Sequence, residues 1–520
     1  METIIKVEFV VNLVFLLLFY MHMFQLNSYF IKKYARWIKS NSSKVIIRSV
    51  SALIPTVLLL INNNITKIIA GVILLLIIFF NIPKKKSKIP LKFTKRVIRM
   101  FITISIVVTL ICIFFNHCIT FGIINVFAFL LCVIAHIINF PIEYTVKSYY
   151  INSAKKILKS MPDLMVIGVT GSYGKTSVKN FLVKTLSAKY EVLTTPKNYN
   201  TTMGVVKTIR EELKPIHQIF VCEMGATKLG DIKEICDLVH PKLGIITSIG
   251  PQHLESFKSI DNIIKTKFEL YDSVNKNGGI TFLNYDNEYL AKQNRPNTKS
   301  YGINNEDLDY NACNLKSSSR GLSFTMDNVD FKTKLIGKHN IVNITAAIAV
   351  ANYLDIPLNR LVPRVREINS VEHRLQLIPK GNLNIIDDAY NSNPVSSKAA
   401  IDTLSEFEGI KVIVTPGLIE LGGESEKYNF EFGEYMADVC DYIFIVNSTV
   451  SKFVLNGINS KQFDKDKIFT VNSPQEAVRK VTEMNLNEQI TILLENDLPD
   501  NYNMWYIKHI IKWSISNKGL

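Results

Sequence analysis

"LMVIGVTGSYGKTSVKNFLVKTL" occupies residues 164–186. An apolar run leads into a turn with two glycines, followed by a lysine, two hydroxyl residues and a helical pattern. That order delivers a phosphate chain from a strand to a helix N-terminus. Gly171 and Gly174 let backbone N–H groups approach phosphate, Lys175 supplies a point charge, and Thr176 can ligate Mg²⁺. The spacing is not that of the longer GxxxxGK[ST] loop, because Val169 stands six positions before Lys175. The strand before the loop and the helix after it carry the reading.

Outward from this loop the chain divides by charge. Residues 1–159 hold 20 Lys+Arg and 3 Asp+Glu, while the rest of the 520 residues hold 40 against 42. The basic excess lies between apolar runs, where it reports membrane topology or anionic lipid and not a nucleic-acid surface. None of the seven cysteines forms a CxxC, so neither a zinc site nor a disulfide framework is expected.

Apolar runs at 7–26, 45–61, 65–82, 100–118 and 121–140 each approach the ~20 residues that span hydrocarbon. The second contains Arg48 and Pro55 and is the weakest. Loops 27–44 and 83–99 and the segment after 140 are basic, whereas "NNNIT" and "NHCIT" carry no charge. The alternation predicts five spans, an outside N-terminus and a cytoplasmic remainder. A re-entrant pairing of two runs would leave four crossings, an inside N-terminus and the same cytoplasmic remainder.

Further motifs follow the loop: "TPKNYNTTMGV" at 195–205, "EMGA" at 223–226, "IGPQHLESF" at 249–257, "KFEL" at 267–270, "GKHNIVNITAA" at 337–347, "EHRLQ" at 372–376 and "DDAYNSNP" at 387–394. With the short loop form TGxxGKT at Thr170–Thr176, this set resembles the Mur ligases, ATP-dependent amide-forming enzymes of peptidoglycan synthesis, and especially their MurF-type branch. The resemblance covers about residues 163–500. Glu223 follows "IFVC", so its carboxylate is expected at a strand's C-terminal end, where α/β sheets bind ligands, and there it could share Mg²⁺ with Thr176.

The resemblance implies more. Residues Thr170, Gly171, Ser172, Tyr173, Gly174, Lys175, Thr176 and Ser177 would cradle the ATP phosphates, Asn343 would lie near the adenine, Arg374 would reach the phosphates and Asp388 the ribose. His253 would bind a second Mg²⁺. Lys267 would be carbamylated and so turned into an anionic metal ligand, with Lys265 as the competing assignment. The catalytic set is Lys175, His253 and Lys267.

The expected organisation is a membrane α-helical region at 1–145, a linker at 146–162, a P-loop α/β central domain at 163–370 and a Rossmann-like α/β domain at 371–520. The last rests on "LNIIDDAY", "IKVIVTPG", "DYIFIV" and "QITILLE" read as strands between helices. The implied reaction phosphorylates an acceptor carboxylate and joins it to the amine of an amino acid or dipeptide. No GxSxG, glycosidase carboxylate pair or kinase HRD loop competes with that reading.

Two departures from the family stand out. Membrane spans occupy the place of the small domain that grips a UDP-linked acceptor, which opens the acceptor to a lipid-linked or a UDP-linked glycan. "TPGLIELG" at 415–422 keeps Glu420, Leu421 and Gly422 of the family's GDMxELG but loses its acid. An ATP-binding membrane scaffold without ligation and a poly-amino-acid synthetase are the alternative functions.

Overall fold

The structure, a computed structural model, describes residues 1–496 apart from 62, 84–89, 197–198, 252–253, 391–392, 420 and 485–487. His253 and Glu420 therefore lie outside the described residues. The chain forms two compact units, one over Met1–Tyr149 and one from Tyr150 onward.

Among the described residues five helical stretches, the last of them running on past Tyr149, are long and apolar enough to cross a membrane: Glu2–Leu26, Ser42–Ile61, Asn64–Asn81, Lys95–Phe114 and Ala128–Lys159. Their outward faces carry bare apolar side chains such as Ile68, Leu76, Ile106 and Phe114. Inside, polar groups satisfy one another. Asn12 donates to Asn125 and Asn81 donates to Asn12, both at 2.9 Å, while Asn125 also donates to the Phe9 carbonyl at 3.1 Å. Such a closed amide chain removes the cost of burying each amide and fixes the register of the helices that carry them.

The expected element bounds differ in two places. The fifth apolar run divides into a short helix, Cys118–Val126, and a long one that starts at Ala128. That long helix passes through Pro141 and continues to Lys159, so residues 146–159, expected as part of a linker, are helical. Its last turns are held by packing: Ala154 is fully buried in a cluster with Phe220, Ile235 and Val274.

The second unit contains two sheets. The first has the order β2-β3-β1-β4-β5-β6-β7-β8-β9, from strands β1 (Met165–Thr170), β2 (Val192–Thr194), β3 (Ile219–Glu223), β4 (Leu243–Ile246), β5 (Ile280–Asn284), β6 (Thr298–Ile303), β7 (Tyr310–Ser318), β8 (Gly321–Met326) and β9 (Val329–Thr333). Pairing is parallel from β2 through β7 and antiparallel from β7 to β9. β1 sits between β3 and β4, so the chain order reverses beside it, and a crevice opens beyond the strand ends at such a switch point.

Helix Lys175–Leu186 and helix His339–Tyr353 share one buried cluster on this sheet, through Val178, Phe181 and Leu182 against Ile341, Ile344 and Ile348. Helix Ile260–Lys276 covers the other face. Gly168 of β1 lies directly opposite Gly244 of β4, and the two bare backbones form a trough. A Cβ on Gly168 would meet Leu270 at 2.6 Å, and one on Gly244 would meet Leu270 and Val274 at 3.2 Å. Leu270 drops into that trough and sets the height of the helix that also carries Lys267.

The second sheet has the order β10-β11-β15-β12-β13-β14, from β10 (Gln376–Lys380), β11 (Leu383–Asp388), β12 (Ile410–Thr415), β13 (Tyr442–Val446), β14 (Ile468–Val471) and β15 (Ile490–Glu495). It is parallel except for β10, which runs antiparallel at the edge. The four strands expected from the sequence are β11, β12, β13 and β15. The edges β10 and β14 are additions.

Candidate functional site

The phosphate loop is braced from beneath by the segment that follows β4. Ser248 accepts the Ser172 amide at 2.9 Å through its carbonyl and the Tyr173 amide at 2.8 Å through its hydroxyl. The Ser172 hydroxyl donates to the Gly250 carbonyl and accepts its amide at 3.0 Å. Thr247 donates to the Tyr173 carbonyl, and Thr170 donates to the Met224 carbonyl at 2.9 Å. Thr170 and Ser172 therefore face into the supporting structure and fix the loop.

What the loop leaves free is the start of helix Lys175–Leu186. Gly174 caps it at φ +82°, a left-handed conformation that glycine adopts without strain, and no side chain caps it. The amides of Gly174, Lys175, Thr176 and Ser177 find no acceptor among the described residues. A Cβ on Gly174 would lie 2.8 Å from the Asn343 amide oxygen, so Asn343 closes on the loop itself. These amides and the helix dipole favour an anion here.

Lys175 folds back, donating to the Gly171 carbonyl at 2.7 Å and the Ser172 carbonyl at 3.1 Å. Burial pushes its ammonium down to about 8, Glu223 opposes that shift and Arg374 adds to it. The charge of Arg374 is thus felt at the loop. Arg374 itself donates to the Tyr390 carbonyl at 2.8 Å and stacks over the Tyr390 ring.

Glu223 ends β3 as expected, 2% exposed. Its Oε1 accepts from Thr176 at 3.3 Å and from Asn200 at 3.1 Å. Its Oε2 lies 3.0 Å from the ammonium of Lys179, which is 1% exposed and also donates to the Thr195 carbonyl at 2.9 Å. Burial alone would raise this carboxyl; the Lys179 and Lys175 cations and the Asn200 amide outweigh it and hold the group below its ordinary range. Sequence reading missed Lys179. Lying among the other lysines of a helix, it carries no local sign that it faces inward.

Lys267 is buried at 3% exposure, whereas Lys265 is exposed. Burial first, then the nearby Lys175 cation, pushes the Lys267 ammonium well below its ordinary range. It has no hydrogen-bond or ion-pair partner among the described residues. The uncharged amine, and not the ammonium, is the form that reacts with CO₂, and burial shifts Lys267 in that direction.

In the second sheet Asp388 is buried at the end of β11. Burial raises its carboxyl, with Arg374 and the Leu375 amide, a donor at 3.1 Å, opposing. Glu495, directly opposite on β15, accepts from Ser397 at 2.6 Å and was not expected at this place. Asp387 accepts from His373 at 2.8 Å and pins the backbone that carries Arg374.

A carboxylate and a hydroxyl meeting at a strand end form an oxygen donor set suited to Mg²⁺, which keeps several of its sites for water and phosphate. Among the described residues no group of three His, Cys, Asp or Glu side chains converges, so Thr176 and Glu223 are the oxygen donors at hand for such an ion.

Comparison with known proteins places this geometry. The Mur ligase middle domain matches residues 169–351, and the Mur ligase, glutamate ligase domain matches residues 373–495. The UDP-N-acetylmuramoyl-tripeptide--D-alanyl-D-alanine ligase of Bacillus subtilis is 31% identical over 324 residues, covering 61% of this chain and 70% of that protein. The chain belongs to the Mur ligase family, in its MurF-like branch.

The Escherichia coli ligase of the same name is 33% identical over 278 residues, 52% of this chain and 61% of its own length. MurF from Acinetobacter baumannii superposes with a TM-score of 0.61 at 26% identity over 69% of this chain and 79% of that one. The fold is also that of the Thermotoga maritima MurF ligase in complex with ADP, with a TM-score of 0.62 at 24% identity over 71% of this chain and 84% of that one. As a Mur ligase the chain is an ATP-dependent, ADP-forming ligase that works with Mg²⁺. Residues 1–168 lie outside both matched domains.

Proposed function

We propose that this chain is a membrane-resident MurF-type ligase, joining the carboxylate of a muramoyl-peptide acceptor to the amine of a dipeptide such as D-alanyl-D-alanine. The observation that carries it is the meeting of the free amides at Lys175–Ser177, the Thr176–Glu223 oxygen pair and the buried Lys267 at one sheet switch point. The substrates are those in the names of the Bacillus subtilis and Escherichia coli relatives.

ATP with Mg²⁺ supplies the phosphoryl group and neutralises its charge. Thr176 and Glu223 would hold the ion, joined by His253 and by Lys267 as its carbamate. Lys175 would leave the Gly171 and Ser172 carbonyls for phosphate oxygens, and the unpaired amides would take others. Arg374 and Asp388 serve the nucleotide from the C-terminal domain. Lys179 keeps Glu223 ionised and turns Oε1 toward Thr176.

A carboxylate is a poor electrophile. When an acceptor carboxylate oxygen takes the γ-phosphoryl group, ADP leaves and an acyl phosphate forms. The amine then attacks that carbonyl, phosphate leaves, and the amide remains. The protein's part is to position groups and balance charge.

Five long apolar helices and the bias of positive charge toward alternate loops support a multi-pass anchor with the ligase domains in the cytoplasm. With residues 1–168 outside the matched domains, the acceptor is carried either on UDP or on a membrane lipid. Mass spectrometry of UDP-linked and lipid-linked precursors in cells with and without the protein tests this reading. An unextended muramoyl-peptide should accumulate in its absence, and unchanged precursor pools would reject the assignment.

A further inference from the structure

The first unit holds a cationic site that its own residues do not neutralise. Arg96 and Arg99 stand on the first turns of helix Lys95–Phe114 and face Glu143 on helix Ala128–Lys159. Arg99 takes that carboxylate for itself, donating to Oε1 from Nε at 2.9 Å and from Nη2 at 2.6 Å. The Arg96 guanidinium is left 3.9 Å from the other oxygen, beyond hydrogen-bond reach. It lies 4.0 Å above the Tyr29 ring, with Nη2 3.3 Å from the His136 Nδ1, and its buried Nε finds no acceptor among the described residues.

Nothing else in this unit supplies the missing anion. Its only other acids are Glu2 and Glu8, at the opposite end of the first span, and Glu2 already pairs with Lys67 at 2.8 Å. Loops 27–44 and 83–94 contain no acidic residue. Instead Gln25 clamps the backbone of Lys92 from both sides, with both bonds at 2.9 Å, which sets one more lysine beside the start of the Arg96 helix. Surplus cations around an orphaned guanidinium donor, at a helix N-terminus at the level of the inner leaflet, call for phosphate oxygens from outside the chain.

We infer that Arg96, supported by Arg99 and Lys92, binds the phosphate headgroup of a membrane lipid. The inference rests on the membrane reading above and goes beyond it by naming a ligand chemistry for the segment that the ligase domains do not explain. A structural phospholipid and a lipid-diphosphate carrier of the acceptor share that chemistry.

The test uses the full-length protein in detergent, with native mass spectrometry reading titrations of a polyprenyl diphosphate, of phosphatidylglycerol and of inorganic pyrophosphate. R96Q should weaken binding of the preferred lipid about tenfold, R96K should weaken it less, and K39Q on a neighbouring basic loop should leave it within about twofold. The lipid with the larger dependence on Arg96 identifies the source. Lipid binding by R96Q equal to that of the unchanged protein would overturn the inference, as would inorganic pyrophosphate competing at the same concentration as either lipid. Size-exclusion in detergent checks that R96Q is folded; if it aggregates, R96K alone decides, and binding equal to wild type overturns the inference. Alkaline carbonate extraction separates the two readings. Release of the chain into the soluble fraction sinks the membrane reading, whereas a chain that stays in the membrane and binds no lipid phosphate sinks this inference alone.

Discussion

Removing the Lys179 ammonium would leave Glu223 a buried carboxylate without its nearest counter-charge. Loss of one partner from a buried ion pair costs about 3–5 kcal/mol, far more than the pair's net contribution. K179M should therefore lower the unfolding free energy by roughly that amount, and adding E223Q should restore much of it. Chemical denaturation of the four proteins of this cycle checks the coupling, and additive losses would contradict it. Lys267 makes a different prediction, because its role requires a carboxylate that the side chain lacks until it is modified. K267A should lose turnover and regain part of it with added short-chain carboxylic acids; full activity without them would remove Lys267 from the mechanism. At His373 the partner Asp387 raises the imidazole above its ordinary 6.5, with burial opposing. The contribution of that pair is complete below 6.5, the unfolded value, and is lost as pH rises through the higher folded value. The stability difference between the wild-type protein and H373Q should thus shrink as pH rises above 6.5, and a difference that stays flat as pH rises would contradict the pairing.

The trough made by Gly168 and Gly244 governs how closely helix Ile260–Lys276 approaches β1 and β4. G244V places methyl groups against Leu270 and Val274, and overpacking of this kind costs about 1–3 kcal/mol. The helix should lift, Lys267 should become more exposed, and both the stability and the reactivity of Lys267 toward an amine reagent should show it; unchanged labelling with unchanged stability would contradict the trough. At this scale the sequence was readable wherever one element carried its own signal. The strand–loop–helix at 165–186, Glu223 at the end of β3 and the β11, β12, β13 and β15 strands were legible because apolar runs stop at glycine or at an acid. Strands β6 to β9 and the edges β10 and β14 were not, because short half-exposed strands take their identity from a neighbour. The helix that continues past Pro141 was hidden for a similar reason. A proline predicts a stop, and only the packing of Ala154 in the second unit shows what holds the following turns helical. Lys179 and Glu495 acquire their roles from residues far away in sequence, Glu223 and Asp388, which local pattern cannot reveal.

At the scale of the whole molecule, an ATP-dependent ligase follows a helical segment that lies outside both matched domains. The ligase half was legible through its motifs, and the long apolar helices of the first part through their apolar length. The sequence did not identify the acceptor, because acceptor recognition is a property of surfaces and not of a motif. The central claim is that the Thr176–Glu223 pair, Lys175 and Lys267 serve amide formation and not nucleotide binding alone. The most direct measurement is ADP release by the purified full-length protein in detergent with ATP, Mg²⁺, D-alanyl-D-alanine and either a UDP-linked or a lipid-linked muramoyl tripeptide. ADP should appear in step with a new amide, only when acceptor and dipeptide are both present, and not with E223Q. Tight ATP binding without acceptor-dependent ADP from either form of the acceptor would contradict the account.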